Sequence, residues 1–246
     1  MSDFRSAADP VALLCAVGAE CAELREALEG GHEVEIGRKV AWEGRLDGAP
    51  VILLPGGMGK VNAAQAVTAL LETRRVRGVL GFGIGGAYPG SGLQVGDVAL
   101  ATSAVYGDEG VDAPGGWMST EGIGIPLLEV DGVRTFNEFV LDADAVERGR
   151  AALEAAGVHV RTGPFVTLSA CSGTAARGEE MARRFHALCE GMEGAAAAHV
   201  CALYRVPFLE VRAVSNAVED RDLTRWKIRD ASLAAQRAAR VLAAAW

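Results

Sequence analysis

The chain has 246 residues, 50% of them hydrophobic, enough to bury one large core, and α/β folds of this length commonly form a single domain. Its 24 Lys and Arg against 32 Asp and Glu leave a net charge of −8; the cations are scattered, which excludes a polyanion-binding stripe and with it nucleic acid as a partner. Five cysteines at no metal-ligand spacing argue for reduced thiols, a cytoplasmic location and no bound metal.

In chain order, residues 1–10 read as a flexible polar tail and 11–246 as the domain. Val11 to Val17 is an apolar run of strand length, too short to span a bilayer and flanked by acidic residues unlike a secretory leader, so no membrane is expected as a partner. Glu20 to Leu28 predicts a helix, Val51 to Leu54 a strand and Val61 to Thr73 a helix. Before that helix, Gly56-Gly57-Met58-Gly59-Lys60 lacks the spacing of a phosphate-binding P-loop. Gly78 to Gly83 predicts a strand running into a glycine loop, Gly81-Phe82-Gly83-Ile84-Gly85-Gly86. Gly81, Gly83 and Gly86 match a dinucleotide fingerprint, but Pro89, Gly90 and Gly92 oppose the helix that such a fingerprint needs. The loop reads instead as a place where a small ligand approaches the backbone closely, with a plain glycine-rich turn as the alternative.

Asp97 to Ala101 predicts a further strand, whereas Gly, Pro and acidic residues interrupt every apolar run from Tyr106 to Asn137. Irregular structure is expected there, serving as a lid or a subunit contact. The remaining elements are a helix at Asp142 to Ala156, a strand at Val158 to Leu168, helices at Thr174 to Leu188 and Glu193 to Tyr204, a strand at Pro207 to Val214 and a last helix from Leu223 to Ala245. Glu193 to Tyr204 is small or apolar around its circumference, so it should be buried on most sides. Strands alternating with helices predict an α/β domain with a central mixed β-sheet flanked by helices.

Five ordered blocks carry a resemblance. They are Gly57-Met58-Gly59-Lys60-Val61-Asn62-Ala63-Ala64, Gly83-Ile84-Gly85-Gly86, Leu93-Gln94-Val95-Gly96-Asp97-Val98, Gly191-Met192-Glu193-Gly194-Ala195-Ala196, and Val206-Pro207-Phe208 with Val211-Arg212-Ala213-Val214-Ser215-Asn216. In order and spacing they resemble the nucleoside phosphorylase and methylthioadenosine/S-adenosylhomocysteine nucleosidase superfamily, over nearly the whole chain. Gly107-Asp108-Glu109-Gly110, Ser215-Asn216, Arg221-Asp222 and Trp226 are most similar to the futalosine hydrolase branch, which serves a menaquinone pathway. The resemblance implies a nucleoside phosphorylase-like fold, a purine nucleoside as the small-molecule partner, a homodimer, and neither metal nor organic cofactor.

Cleaving ribose from a base requires a tolerated oxocarbenium-like sugar, a stabilised leaving base and a waiting nucleophile. By the resemblance Glu20 is the general base, although an acid in the first turn of a helix also suits the helix dipole without any chemistry. Glu193 is the acceptor for two ribose hydroxyls and Met192 packs against the sugar. Arg212 is placed to help position the water and its base, or to form a structural ion pair. Gly85, Ser215 and Cys171-Ser172-Gly173-Thr174 are expected to line the purine, with Ser172 and Gly173 in contact. Cys171 lacks a partnered His and is not read as a nucleophile; His199 reads as a hydrogen-bonded core residue.

Asn216 departs from the aspartic acid that the resemblance to methylthioadenosine nucleosidase would place there. Hypoxanthine offers acceptors at N7 and O6, which suit the N–H donors of a carboxamide, so Asn216 points to a 6-oxopurine; an asparagine at a strand end can also be a turn former. Leu80 to Gly86 holds no arginine and no hydroxyl, and Ile84 stands where phosphorylases of the superfamily carry Ser or Thr, which favours water over phosphate. Arg38 and Arg45 are the distant cations that folding would have to bring in to reverse that. The expected reaction is hydrolysis of futalosine to hypoxanthine and dehypoxanthine futalosine, with Arg221, Arg225 and Lys227 as candidates to meet its carboxylated aromatic tail. A methylthioadenosine nucleosidase or purine nucleoside phosphorylase, a non-catalytic nucleoside-binding protein and a dinucleotide-dependent oxidoreductase are the rivals.

Overall fold

The computed structural model describes residue 6 and residues 8–246; the rest of the predicted tail lies outside the described residues. The chain runs β1 (Val11–Cys15), a 3-10 turn (Gly18–Cys21), α1 (Ala22–Glu26), β2 (Glu29–Ile36), β3 (Lys39–Leu46), β4 (Ala49–Pro55), α2 (Lys60–Thr73), β5 (Gly78–Ala87) and β6 (Val98–Tyr106). Two short hairpins follow, β7 (Gly110–Ala113) with β8 (Gly116–Ser119) and β9 (Leu128–Val130) with β10 (Val133–Thr135). Then come β11 (Glu138–Val140), α3 (Ala143–Ala155), β12 (Val160–Thr167), α4 (Ala175–Phe185), β13 (Cys189–Gly191), α5 (Gly194–Leu203), β14 (Phe208–Ala217), a 3-10 turn (Leu223–Arg225) and α6 (Ile228–Ala244).

One ten-stranded sheet carries the domain in the order β11-β6-β12-β13-β5-β1-β4-β3-β2, with β14 paired to both β5 and β6. Since β5 pairs β13 and β14, β14 pairs β6, β6 pairs β12 and β12 pairs β13, five of these strands close into a ring. Pairings of both senses occur, β1 being parallel to β4 and β5 while β3 is antiparallel to β4. The α/β single domain with a mixed sheet flanked by helices is therefore as expected. Its strands β1 and β4 are apolar on both faces, Val11 to Leu14 and Val51 to Leu54 being buried throughout, as strands covered on both sides must be.

Helix boundaries follow local chemistry. Asp142 accepts from Ala145 N at 2.7 Å at the start of α3 and Thr174 from Arg177 N at 3.3 Å at the start of α4, each satisfying an otherwise orphaned N–H. α5 buries Gly194 to Ala198 and Cys201 and packs on α2 and the sheet, as its apolar circumference predicts. α6 buries Ala231, Ala235, Ala238, Ala239 and Leu242, one stripe of a 3.6-residue period.

Three expectations are corrected. The glycine loop is no loop: β5 runs on to Ala87, none of Gly81, Gly83, Gly85 and Gly86 has a positive φ, and these glycines serve close packing instead of a turn. The predicted helix Glu20 to Leu28 divides into a 3-10 turn and α1, and Leu223 to Ala245 into a 3-10 turn and α6. The Tyr106 to Asn137 segment is ordered into the two hairpins, its polar strands being paired locally instead of buried. No helix among the described residues is long and apolar enough to cross a membrane.

Candidate active site

A cavity of ≈ 780 Å³ opens where β1, β5, β13 and β14 end, roofed by the 3-10 turn before α1 and the first half of α6. The ends of α/β strands commonly hold ligands because loops and backbone groups converge there. On β14 side chains alternate faces, so Glu210, Arg212 and Val214 share one side while Val211 and Ala213 take the other.

Arg212 is 5% exposed. Its Nε donates to Glu210 Oε1 at 2.8 Å, its Nη2 to Glu193 Oε2 at 3.2 Å and its Nη1 to the Ile84 carbonyl at 3.1 Å. Burial works against its charge, but Glu210, Glu193 and Glu20 outweigh it and hold the guanidinium above its ordinary pKa. For Glu210 the balance falls the other way: burial raises its carboxyl above the ordinary value despite Arg212.

Glu20, in the 3-10 turn, is buried and gripped by backbone. Its Oε2 accepts from Ala16 N at 3.0 Å and Val17 N at 3.2 Å, and its Oε1 from Ile84 N at 3.2 Å. A carboxylate has about four acceptor positions, so one remains for a water in the cavity. Glu193, the residue before α5, accepts from Gly59 N at 2.9 Å through Oε1 and from Met192 N at 3.3 Å through Oε2. Arg212 bonds Glu193 directly and meets Glu20 through Ile84, whose carbonyl it bonds and whose N–H Glu20 holds. Gly83 makes this possible: a methyl carbon there would lie 2.7 Å from Glu20 Oε1 and 3.0 Å from Arg212 Nη1.

Asn216 stands at a bulge between β14 and β5. Ser215 Oγ donates to Asn216 Oδ1 at 2.8 Å and lies 3.3 Å from the Gly85 carbonyl, while Asn216 Nδ2 donates to the Ala217 carbonyl at 3.0 Å. The amide is pinned, and its second N–H is left for a ligand. Beside it Glu190, 4% exposed, accepts from Ser172 N at 2.8 Å and Ser172 Oγ at 2.7 Å. Burial raises its carboxyl above the ordinary value in spite of those bonds.

Of the residues expected at the site, the structure brings Glu20, Gly85, Ser172, Met192, Glu193, Arg212, Ser215 and Asn216 to one cavity. Gly173 is not in its lining; its carbonyl accepts from Arg221 N at 3.3 Å. Cys171 lines the cavity and stays a poor nucleophile, since desolvation, then Glu190 and Glu193, push its thiol up to about 12. His199 Nδ1 lies 3.4 Å from Tyr106 Oη, stacked on Phe139, and burial lowers its pKa, as befits a core histidine. Lys60 joins Asp108 and Glu109, and Asp108 Oδ2 accepts from Ser169 N at 2.7 Å, so the Gly107 to Gly110 block anchors the rim that carries Cys171 and Ser172.

The sequence reading missed Glu190 and Glu210. A glutamate among apolar residues of a buried strand, two positions before an arginine, was the available signal for Glu210; Cys189-Glu190-Gly191 offers none as clear. Of the tail candidates only Arg221 lines the cavity, its guanidinium 4.8 Å from the Trp226 ring centroid; Arg229 lines it too and went unread. Arg225 pairs with Glu219, and neither Arg38 nor Arg45 reaches the cavity.

Comparison with known proteins agrees with this geometry. Residues 10–245 match the model of the phosphorylase superfamily. The chain is 36% identical over 208 residues to futalosine hydrolase of Thermus thermophilus, covering 83% of this chain and 86% of that protein. It is 34% identical over 208 residues to the 5'-methylthioadenosine/S-adenosylhomocysteine nucleosidase of a Geobacillus species, covering 84% of each. The crystal structure of the corresponding Neisseria meningitidis nucleosidase with methylthio-immucillin-A superposes with a TM-score of 0.81 at 27% identity, covering 96% of this chain and 99% of that one. The chain belongs to the phosphorylase superfamily, and the relatives it matches are named nucleosidases and hydrolases.

Proposed function

We propose that this chain hydrolyses the N-glycosidic bond of futalosine, releasing hypoxanthine and dehypoxanthine futalosine. Nucleoside N-glycosyl hydrolysis is the part that its relatives carry; the choice of futalosine rests on the site. The observation that carries it is the pinned carboxamide of Asn216, with an N–H to give, facing Glu20 and Glu193 across one cavity.

In this reading Glu193 accepts from the ribose hydroxyls and Glu20 takes a proton from water as its oxygen bonds to C1′. The C1′–N9 bond breaks and its electron pair leaves with the base, which takes up a proton from solvent to become hypoxanthine while Glu20 releases the one it took from water. Asn216 donates to N7 and so steadies the growing negative charge, an interaction strongest in the transition state. Arg212 holds Glu193, and its charge offsets the repulsion between the two carboxylates. Water is the nucleophile because the Ile84 N–H is committed to Glu20 and Arg212 to three acceptors, which leaves no free donor cluster for phosphate at β5. Trp226, Arg221 and Arg229 line the same cavity, an aromatic face and two cations suited to a carboxylated aromatic tail.

The chain is further proposed to act in the cytoplasm as a homodimer. Val61, Val111, Met118, Ile125 and Val133 are exposed apolar side chains at the start of α2 and along the hairpins, the sort of surface a second copy covers.

The test is incubation with futalosine, methylthioadenosine and inosine, each with and without phosphate, followed by chromatography of the freed base. Hypoxanthine should appear from futalosine without phosphate. Futalosine left intact while inosine is split only with phosphate present would overturn the reading.

A further inference from the structure

We propose that Gln236 is a positioning residue for the reaction: from α6 it caps α1 and so ties the turn that carries Glu20 to the wall of the cavity. The proposal rests on the hydrolase reading above, with Glu20 as general base, and adds to it a residue that acts through Glu20.

α1 is five residues long and begins two positions after Glu20. The first N–H groups of a helix have no partner inside it, and a side-chain oxygen on the preceding residue ordinarily accepts from the second or third of them. Here the preceding residue is Cys21, which gives α1 no side-chain cap; its Sγ donates to the Gly18 carbonyl at 3.4 Å. The acceptor comes instead from the far end of the chain. Gln236 Oε1 takes the N–H of Glu23 at 2.9 Å and that of Leu24 at 3.2 Å, the second and third residues of α1. Its Nε2 donates to the carbonyl and the hydroxyl of Ser232, both at 3.4 Å and one turn back on α6, so partners on both ends set the orientation of the amide. Gln236 and Leu24 are each 3% exposed, where water replaces a lost acceptor poorly.

Glu20 is thereby held from two sides. Ahead of it, Ala16 and Val17 give their N–H groups to its carboxylate. Behind it, Gln236 holds α1, and Ser232 Oγ reaches the Ala19 carbonyl at 3.5 Å. Arg229, Ser232 and Gln236 follow one another at spacings that put them on one face of α6, and all three line the cavity with Glu20 and Glu23. A serine at position 21 could satisfy the same two N–H groups locally, but would leave the turn free of α6. With the cap supplied by α6, the general base is fixed relative to the cavity that holds its substrate, where a displacement of about 1 Å costs on the order of 10²-fold in rate.

The experiment compares wild type, Gln236→Met, Gln236→Glu, Gln236→Met with Cys21→Ser, and Glu20→Gln. It measures kcat for whichever of futalosine and methylthioadenosine wild type hydrolyses, calorimetric affinity for hypoxanthine and adenine, and the thermal midpoint. Gln236→Met keeps the length and removes both polar atoms; kcat should fall by about 10–100-fold well below its melting temperature, with base affinity unchanged. Gln236→Glu restores an acceptor oxygen in either protonation state and should recover most of that rate. Adding Cys21→Ser to Gln236→Met supplies a local cap, which should raise the thermal midpoint and leave kcat low. Recovery of kcat by the local cap would show that the N–H groups needed an acceptor and nothing more, and would overturn the proposal. So would a Gln236→Met enzyme that is less stable yet turns over like wild type; if Glu20→Gln has meanwhile lost turnover, the hydrolase reading stands. A Glu20→Gln enzyme with full turnover would remove the general base and this proposal with it. Wild type offers a test that needs no variant: the amides of Glu23 and Leu24 should be protected from hydrogen exchange, and exchange as fast as in an unstructured peptide would refute the cap.

Discussion

Arg212 brings a full positive charge where solvent hardly reaches, and Glu20, Glu193 and Glu210 surround it. Removing the cation alone strands Glu193 and Glu210, its two ion-pair partners, so Arg212→Met should cost about 3–5 kcal/mol of stability as well as turnover. Urea unfolding measures this; a loss below about 1 kcal/mol would show that the arginine is not the hub of the cluster. Glu20 has a different task. Its backbone donors come from Ala16, Val17 and Ile84; an amide of the same shape keeps an oxygen for Ala16 and Val17, loses the bond from Ile84 N and cannot take up a proton. Glu20→Gln should lower hydrolysis by about 10²–10⁴-fold with little change in the affinity for hypoxanthine. Rapid-quench turnover beside calorimetry separates the two, and undiminished turnover would remove Glu20 from the mechanism.

At the level of elements, β5 is the strand on which the site is assembled, and its glycines matter for what they lack. Gly83→Ala puts a methyl group 2.7 Å from Glu20 Oε1, closer than a side-chain carbon comes to an oxygen, and 3.0 Å from Arg212 Nη1, a tight contact. The carboxylate must move, and displacing a catalytic group by about 1 Å costs on the order of 10²-fold in rate. Turnover should therefore fall much further than the urea midpoint does; an active Gly83→Ala enzyme would mean that Glu20 has room to spare. The hairpins were harder to foresee. β2 is exposed along nearly its whole length and so lacks the apolar alternation by which strands are recognised. Its turn to β3, Gly37-Arg38, and the turn from β3 to β4, Asp47-Gly48, have positive φ at both residues, the geometry of tight hairpin turns. Asp-Gly at 47–48 was the readable sign.

Across the whole molecule the buried acids give stability a pH dependence of definite sign. Burial raises Glu190 and Glu210 above the ordinary value of about 4.5. Between that value and the raised one, the native state binds more protons than the unfolded chain, so each acid makes stability fall as pH rises. Around Glu190 stand Ser172, Tyr88, Arg177, Cys171 and Cys189, and the charge of Arg177 opposes the rise without cancelling it. Glu190→Gln should therefore gain stability relative to wild type as pH rises from about 4.5 towards neutrality. Parallel urea curves for the two proteins would refute the sign.

The sequence by itself determined the alternation of strands and helices, the buried α5 and the superfamily, because apolar periodicity and ordered motif blocks are local properties written along the chain. It also named Met192, Glu193, Arg212 and Asn216, each held within such a block, and Glu20 by its place just after the first strand. Only the tertiary structure decided that the Gly81 to Gly86 run is strand, that Glu210 completes the cluster on Arg212, that Arg229 joins Arg221 in lining the cavity, and that Glu190 stands beside Asn216. The reason is physical: what a carboxylate meets depends on which strands lie side by side, and β13, β5 and β14 are neighbours in the sheet though more than a hundred residues separate β5 from β13 in the chain.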